Sequence, residues 1–207
     1  KVVCRIHPDE IQHIPIHGPF ILVGNHINFL EAPILIPHLD NPEFTGLAKK
    51  ETWDNPLFNF LFTRWQIIPI DRDTVDREAF RLSAEALAQG KILAVSPEGT
   101  RSGDGCLLPA KPGVVLLALR SQVPIIPVGF YGHEHFWENL KHLRRTEFHV
   151  VVGKPFYLNQ NGGIRSREER QAAADEIMCK IAELLPERYH GHYALRRPID
   201  YHYVVPA

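Results

Sequence analysis

Short apolar runs, rich in β-branched residues, alternate with helical patterns along most of this chain, and this alternation limits the possible folds more than any other feature. Runs of this kind, bounded by turn-forming residues, predict buried strands. The predicted strands, about seven in number, lie at residues 2–6, 20–23, 44–48, 66–70, 92–96, 125–130 and 148–152. Because strands that alternate with helices favour an α/β fold, we predict a single α/β domain with a mostly parallel or mixed sheet flanked by helices.

Two of the helices carry start or stop signals. The first, at about residues 74–89, ends before Gly90, and glycine is a frequent helix terminator. The second, at about residues 167–185, begins with Ser166 and Glu169 in the spacing of a capping box. Neither an internal repeat nor a low-complexity linker interrupts the chain, so we predict one domain over all 207 residues.

Charge and cysteine content argue against a nucleic-acid-binding protein and against a disulfide-rich protein. The 23 Lys and Arg residues nearly balance the 24 Asp and Glu residues, so no net charge attracts nucleic acid and any anion site must be local. The three cysteines are few, odd in number and far apart, which is typical of a reducing compartment rather than a disulfide framework. No apolar run approaches the roughly 18 residues of a membrane-spanning helix. We therefore expect a cytoplasmic protein.

A histidine follows the predicted strand at 20–23, at the place where that strand should end. In α/β sheets, ligands bind beyond the carboxyl ends of the strands, so His26 is expected to face substrate. Glu31 comes five residues later, and it reaches the imidazole only if the backbone bends between them. A carboxylate there holds one ring N–H and leaves the other nitrogen free to act as a base. In the alternative interpretation, His26 is a capping residue and Glu31 a first-turn glutamate favoured by the helix dipole.

The stretch A-V-S-P-E-G-T-R-S-G-D-G, at residues 94–105, follows another predicted strand. Gly99 and Thr100 can offer backbone N–H groups to an anion, and Arg101 adds a forked cation. This combination predicts a phosphate site. Glu98 fits beside an anion only if it orients an arginine or contacts a substrate hydroxyl. The alternative is an exposed polar turn without a ligand.

Four motifs, taken in order, resemble those of the 1-acyl-glycerol-3-phosphate acyltransferases, which form the glycerolipid acyltransferase family. They are N-H-x-x-x-x-E at residues 25–31, I-I-P-I-D-R at 67–72, P-E-G-T-R-S at 97–102 and V-P-I-I-P-V-G-F at 123–130. The resemblance covers roughly residues 1–160, with a motif core at about 20–160 and a C-terminal helix and tail at about 165–207. Three positions depart from the family pattern: Glu31, Asn28 and Ser96 stand where the family usually has Asp, Ser and Phe, respectively.

The resemblance implies an O-acyltransferase of phospholipid synthesis. Such an enzyme moves a fatty acyl group from an acyl thioester, of coenzyme A or acyl carrier protein, to the free hydroxyl of a lysophospholipid, and 1-acyl-glycerol-3-phosphate is the expected acceptor. His26 takes the hydroxyl proton while Glu31 holds the imidazole, and the alkoxide attacks the thioester without an acyl-enzyme. This chemistry requires no metal or organic cofactor.

The same resemblance places the acceptor phosphate near a set of cations and backbone groups. With Glu98, the predicted substrate-binding residues are Arg72, Gly99, Thr100, Arg101 and Lys111. For Lys111, a solvated lysine at the start of a helix is an equally good interpretation.

Lysophospholipids reside in membranes, so the protein is expected to be peripheral on the cytoplasmic face of a membrane. The stretch at 52–65 is amphipathic and aromatic, and its predicted docking residues are Trp53, Phe58, Phe62 and Trp65. A second candidate, at 135–145, combines apolar aromatic residues with three cations. In the alternative interpretation, both apolar stripes face the core.

Two other functions remain open. A non-catalytic lipid- or phosphate-binding module would keep the fold without turnover, although it has no chemical reason to keep the base, its carboxylate and the arginine together. A metal-dependent hydrolase of a phosphorylated substrate would need a metal site, for which two H-x-H pairs, His133 with His135 and His190 with His192, are candidates. We expect no metal site, because neither a cysteine cluster nor an H-E-x-x-H motif accompanies these pairs.

Overall fold

The computed structural model describes residues 3–6, 11–39, 43–71, 76–159, 163–195 and 200–207 of the chain. Its strands are β1 Cys4–Ile6, β2 Phe20–Gly24, β3 Phe44–Lys49, β4 Ile68–Ile70, β5 Ile92–Val95, β6 Ile125–Tyr131, β7 Thr146–Val152, β8 Phe156–Leu158 and β9 Val204–Pro206. Its α-helices are α1 Glu31–Leu39, α2 Pro56–Arg64, α3 Arg77–Ala88, α4 Gly113–Ser121, α5 Phe136–Lys141 and α6 Arg167–Ala182. Short 3₁₀ helices lie at Lys50–Asp54, Glu187–Tyr189 and Gly191–Tyr193.

The described strands form one mixed sheet, which confirms the predicted α/β class. Along its main path the strands lie in the order β1-β7-β6-β2-β5-β3-β4, and β8 and β9 extend the sheet beside β6. Strand β2 runs parallel to both of its neighbours, β5 and β6, whereas β6 and β7 are antiparallel. Because parallel strands end at the same edge, the loops that follow β2, β5 and β6 meet there.

Hydrophobic cores fill both sides of the sheet, as the alternation of side chains along a strand requires. On β2, Ile21 and Val23 pack on one side, and Phe20 and Leu22 pack on the other. Helices α3, α4 and α6 cover the first side, while α1 and α5 cover the second. With both faces covered, the carboxyl edge of the parallel strands is the part of the sheet that substrate can reach.

The two helices with sequence signals form close to their predicted positions. Helix α6 begins with the predicted capping box, in which the Ser166 hydroxyl accepts from the Glu169 N–H and the Glu169 carboxylate accepts from the Ser166 N–H. Helix α3 begins after its N-cap, Asp76, and the predicted start at residue 74 lies outside the described residues. Gly90 has φ 83°, the left-handed conformation that ends a helix.

Several elements have no clear sequence signal. Strands β8 and β9 contain three residues each, which is too short to show a period of two. Helix α4 reads G-V-V-L-L-A-L-R-S and buries four of its residues, so its apolar run lacks the polar positions that mark a surface helix. No helix in the described ranges combines the length and the apolar character needed to cross a membrane.

Candidate active site

The loop after β2 is fixed to the neighbouring strand β6 by the side chain of Asn25. Its Nδ2 donates to the Phe130 carbonyl (2.9 Å), and its Oδ1 accepts from the Phe130 N–H (2.8 Å). On the other side, the Ser102 N–H donates to the His26 carbonyl at 2.8 Å. His26 therefore stands on a backbone that both neighbouring loops hold in place.

His26 and Glu31 meet across a bend in the loop at residues 25–30. His26 Nδ1 lies 3.4 Å from Glu31 Oε2, and the two side chains are 24% and 8% exposed. Glu31 itself stabilises the bend, because its Oε1 accepts from the backbone N–H groups of Ile27 (2.7 Å) and Asn28 (3.0 Å). With Nδ1 directed at the carboxylate, the other ring nitrogen of His26 remains for a substrate proton.

Glu31 has a second imidazole partner, which the sequence analysis considered only as a metal ligand. Nε2 of the fully buried His133 lies 2.9 Å from Glu31 Oε1. Burial by itself raises the pKa of Glu31, but the interactions of the carboxylate with the two histidines outweigh it and hold the pKa below its ordinary value. Glu31 is therefore ionised at neutral pH and able to stabilise a protonated imidazole.

The sequence does contain a signal for His133, because this residue lies two positions after the last residue of β6. Recognising it requires knowing that β6 lies beside β2, and strand order is not written in the sequence. The two histidines of this H-x-H pair also diverge, since His133 faces Glu31 while His135 is exposed. In the described part of the chain, no group of three or more His, Cys, Asp or Glu side chains converges as a metal site.

Glu98 stabilises the backbone at His26. Its carboxylate accepts from the backbone N–H groups of His26 (2.9 Å) and Leu108 (3.0 Å), and the residue is 2% exposed. This placement corrects the expectation that Glu98 orients an arginine or contacts a substrate hydroxyl. Burial raises the pKa of Glu98 to about 7, although the two backbone hydrogen bonds lower it. Glu98 is therefore protonated more readily than an ordinary glutamate.

Lys111 lies across Gly99 beside the site. A Cβ atom at position 99 would come within 2.9 Å of Lys111 Cδ, a contact that the flexible lysine side chain can relieve by moving. It is the φ of 67° at Gly99 that favours glycine at this position. The Gly99 N–H donates to the Ser96 carbonyl at 3.1 Å. It is therefore already engaged, and the predicted role of this N–H as an anion donor is wrong. The Lys111 ammonium group is the cation positioned over the turn.

The other predicted phosphate contacts do not share the cavity with His26. Thr100 and Arg101 are exposed, and neither of them lines that cavity. Arg72 lies outside the described residues. Of the predicted cations that the structure describes, Lys111 is the one that lines the cavity together with His26.

The cavity at His26 has a volume of about 1390 Å³. Toward helix α1, its walls are apolar side chains of the second core, among them Leu22, Leu35, Phe44, Val128 and Phe130. Toward helices α3 and α4, its walls combine apolar side chains with charged ones of both signs, among them Phe80, Leu117, Arg77, Arg120 and Glu85. Pockets for one drug-sized ligand measure about 300–1,000 Å³, so this cavity has room for more than one substrate.

Of the four predicted docking residues at 52–65, Phe62 is buried and Trp53, Phe58 and Trp65 are half-buried. Phe62 is 8% exposed, and its ring contacts those of the other three predicted residues, Trp53, Phe58 and Trp65. Phe62 is therefore wrong as a docking residue, because it forms the centre of an aromatic cluster. The exposed apolar side chains of α2 are instead Leu57 (64%) and Phe60 (69%).

The fold and the site agree with a comparison against known families. The acyltransferase family model matches residues 5–131, a stretch that contains His26, Glu31, Glu98 and Lys111. The chain belongs to the acyltransferase family. This finding confirms the resemblance drawn from the four ordered motifs.

Individual relatives narrow the type of acyltransferase. The chain is 21% identical over 173 residues, 84% of each protein, to a 1-acyl-sn-glycerol-3-phosphate acyltransferase of Bacillus subtilis (strain 168). It is 38% identical over 123 residues to one of Limnanthes alba, which covers 56% of this chain but only 42% of the plant protein. The crystal structure of the 1-acyl-sn-glycerophosphate (LPA) acyltransferase PlsC from Thermotoga maritima matches with a TM-score of 0.60 and 26% identity, covering 84% of this chain and 68% of that one. The chain thus resembles acyltransferases of the 1-acyl-sn-glycerol-3-phosphate type.

Proposed function

We propose that this chain transfers a fatty acyl group from an acyl thioester to the free hydroxyl of 1-acyl-sn-glycerol-3-phosphate, as a step of phospholipid synthesis. The observation that carries the proposal is the 3.4 Å contact between His26 Nδ1 and Glu31 Oε2, at a cavity with apolar walls and a lysine. The names of the relatives from Bacillus subtilis and Limnanthes alba support this acceptor.

His26 acts as the general base in the proposed reaction. Its Nε2 takes the proton of the acceptor hydroxyl, while Glu31 holds Nδ1–H and balances the charge of the imidazolium. The alkoxide attacks the thioester carbonyl carbon, and the tetrahedral intermediate expels the thiolate, which receives the proton from His26. The reaction forms no acyl-enzyme and uses no metal or organic cofactor.

The two sides of the cavity suit the two chemical parts of the substrates. The apolar walls toward α1 accommodate the acyl chain, since its burial there removes apolar surface from water. Lys111 supplies the positive charge for the acceptor phosphate. Coenzyme A and acyl carrier protein are both candidate donors, because each presents its acyl group on the same kind of thioester.

A lipid acceptor also requires access from a membrane, and we assign this role to one aromatic surface beside the site. The aromatic surface comprises the exposed residues Leu57, Phe60, Trp137 and Leu140. Phe29, in the same loop as His26, joins its two helices, because the Phe29 ring lies 6.5 Å from that of Phe58 on α2 and 5.5 Å from that of Trp137 on α5. Exposed cations flank it at Arg64, Lys141, Arg144 and Arg145. Apolar residues with flanking cations match an anionic bilayer surface, which makes the chain peripheral on a membrane.

The function is tested by an acyl-transfer assay on several lysophospholipids, with thioesters of both coenzyme A and acyl carrier protein and with mass detection of the product. We expect product from 1-acyl-sn-glycerol-3-phosphate. His26→Ala should lower kcat by roughly 10²–10⁴-fold while the protein stays folded, because it removes the proton acceptor. Lipid binding without product in any combination would identify a non-catalytic module, and hydrolysis abolished by a chelator would identify a metal-dependent hydrolase.

A further inference from the structure

His133 is the one side chain from outside the β2 loop that donates to Glu31 with good geometry among the described residues. Its Nε2 lies 2.9 Å from Glu31 Oε1. The residue is fully buried and is carried by the segment after β6, the neighbour of β2 in the sheet. A residue from a second strand therefore contacts the carboxylate that faces His26.

The hydrogen bonds of Glu31 are distributed unevenly between its two oxygens. Oε1 accepts from the N–H groups of Ile27 and Asn28 and from His133 Nε2. Oε2 has no hydrogen bond within the described residues, and it faces His26 Nδ1 at 3.4 Å. Because three donors fix one oxygen, the other oxygen is held toward the base.

The surroundings of His133 favour a donor rather than a second base. Its Nδ1 is buried and has no hydrogen-bond partner within the described ranges. The tautomer that carries its proton on Nε2 leaves Nδ1 as a bare acceptor, whereas a proton on Nδ1 would bury an unpaired N–H. The ring is held by Phe148, whose centroid lies 4.3 Å away, so the donor points in a fixed direction.

We propose that His133 is a positioning residue for acyl transfer, which orients the Glu31 carboxylate so that Oε2 faces His26. This inference rests on the proposed function. It assigns His133 no contact with substrate, and it predicts that the length of the Glu31 side chain matters. A carboxylate shortened by one methylene cannot keep both its 2.9 Å contact with His133 and its 3.4 Å contact with His26.

The test uses His133→Phe, which keeps a ring against Phe148 but removes the donor, and His133→Gln, whose amide nitrogen replaces the ring Nε2. We expect His133→Phe to lower kcat by about tenfold to a hundredfold, the usual effect of losing a hydrogen bond to a charged group, while the KM values of both substrates stay within about twofold. His133→Gln should restore most of the turnover. The matched control is His135→Phe, at an exposed position of the same segment, which should leave kcat unchanged.

A double-mutant cycle separates positioning from simple packing. In the Glu31→Asp background, adding His133→Phe should cause little further loss, because a carboxylate that cannot keep both contacts no longer links His133 to His26. Fully additive losses, or equal losses in His133→Phe and His133→Gln, would show a structural role and overturn the proposal. Wild-type turnover in folded His133→Phe would overturn it as well.

An NMR measurement makes the inference independent of the assay. The imidazole Nδ1 proton of His26 should shift or broaden in His133→Phe and recover in His133→Gln. An unchanged signal in His133→Phe overturns positioning even if acyl transfer is real. Conversely, if His133→Phe shifts this signal as expected but the wild-type protein transfers no acyl group, the proposed function is refuted and the contact is not.

Discussion

The loop after β2 and the turn after β5 lie side by side at the carboxyl edge of the sheet, yet they are built differently. In the first loop, Asn25 and Glu31 are buried and hydrogen-bonded to backbone groups. In the turn, Glu98 is buried and hydrogen-bonded to backbone groups, but Thr100 and Arg101, which follow it, are exposed at the surface. A base and its carboxylate must be held in one geometry before substrate arrives, because reorganisation during the reaction costs rate. Phosphate recognition tolerates exposed cationic side chains, because the bound anion itself orders them through charge-assisted hydrogen bonds.

The contrast between the loop after β2 and the turn after β5 should be clearest in the kcat of Glu31 variants. Glu31→Gln should lower kcat by about 10²–10³-fold, because the amide cannot balance the imidazolium and one of its two polar ends is no longer an acceptor. Glu31→Asp keeps the charge and should lose less. Both variants are measured by kcat in the acyl-transfer assay, with circular dichroism to confirm folding. Equal losses in the two variants would reduce Glu31 to a structural cap and remove the contrast between the loops.

Substitution of the cations at the turn after β5, including Lys111 over it, should change KM rather than kcat. Lys111→Ala should raise the KM of the phosphorylated acceptor by about 10–100-fold, which corresponds to the roughly 1.5–3 kcal/mol of a charge-assisted contact. Arg101→Ala should have a smaller effect on the same KM, because Arg101, unlike Lys111, does not line the cavity at His26. Initial rates with each substrate varied in turn distinguish acceptor from donor. A rise in the KM of the donor alone would mean that these cations bind the donor instead.

The aromatic surface should affect neither kcat nor KM for a water-soluble acceptor. The double variant Leu57→Ser with Phe60→Ser should weaken sedimentation with anionic vesicles by about tenfold, since it removes most of the exposed apolar area of α2. Turnover on a short-chain acceptor should stay near that of the wild type.

Two controls test this assignment of the surface. Ile16→Ser changes an exposed apolar residue before β2, at the edge of the sheet opposite to His26, and should not change vesicle binding. Phe62→Ser should instead destabilise the protein, because Phe62 is buried. If vesicle binding survives the double variant, the membrane contact lies elsewhere on the chain.

Much of the fold could be predicted because its signals are local. Each of the seven predicted strands is present within a few residues of its predicted position, since short apolar runs bounded by turn-forming residues are visible directly in the sequence. The Ser166–Glu169 capping box is equally local. The site was found in the same way, from motifs at the ends of strands. The extent of helix α4 was not predicted, because its sequence is apolar almost throughout and lacks the helical period of polar and apolar residues.

By itself, the sequence determined seven of the strands, the helices α3 and α6, the α/β class, the family and the identity of His26 and Glu31 as a pair to examine. Only the tertiary structure decided which side chains meet. It brought His133 onto Glu31 through the adjacency of β2 and β6, placed Glu98 beneath His26 and buried Phe62 while exposing Phe60. These outcomes depend on strand order and on packing between distant segments, and such non-local contacts leave no periodic trace in the residues that make them.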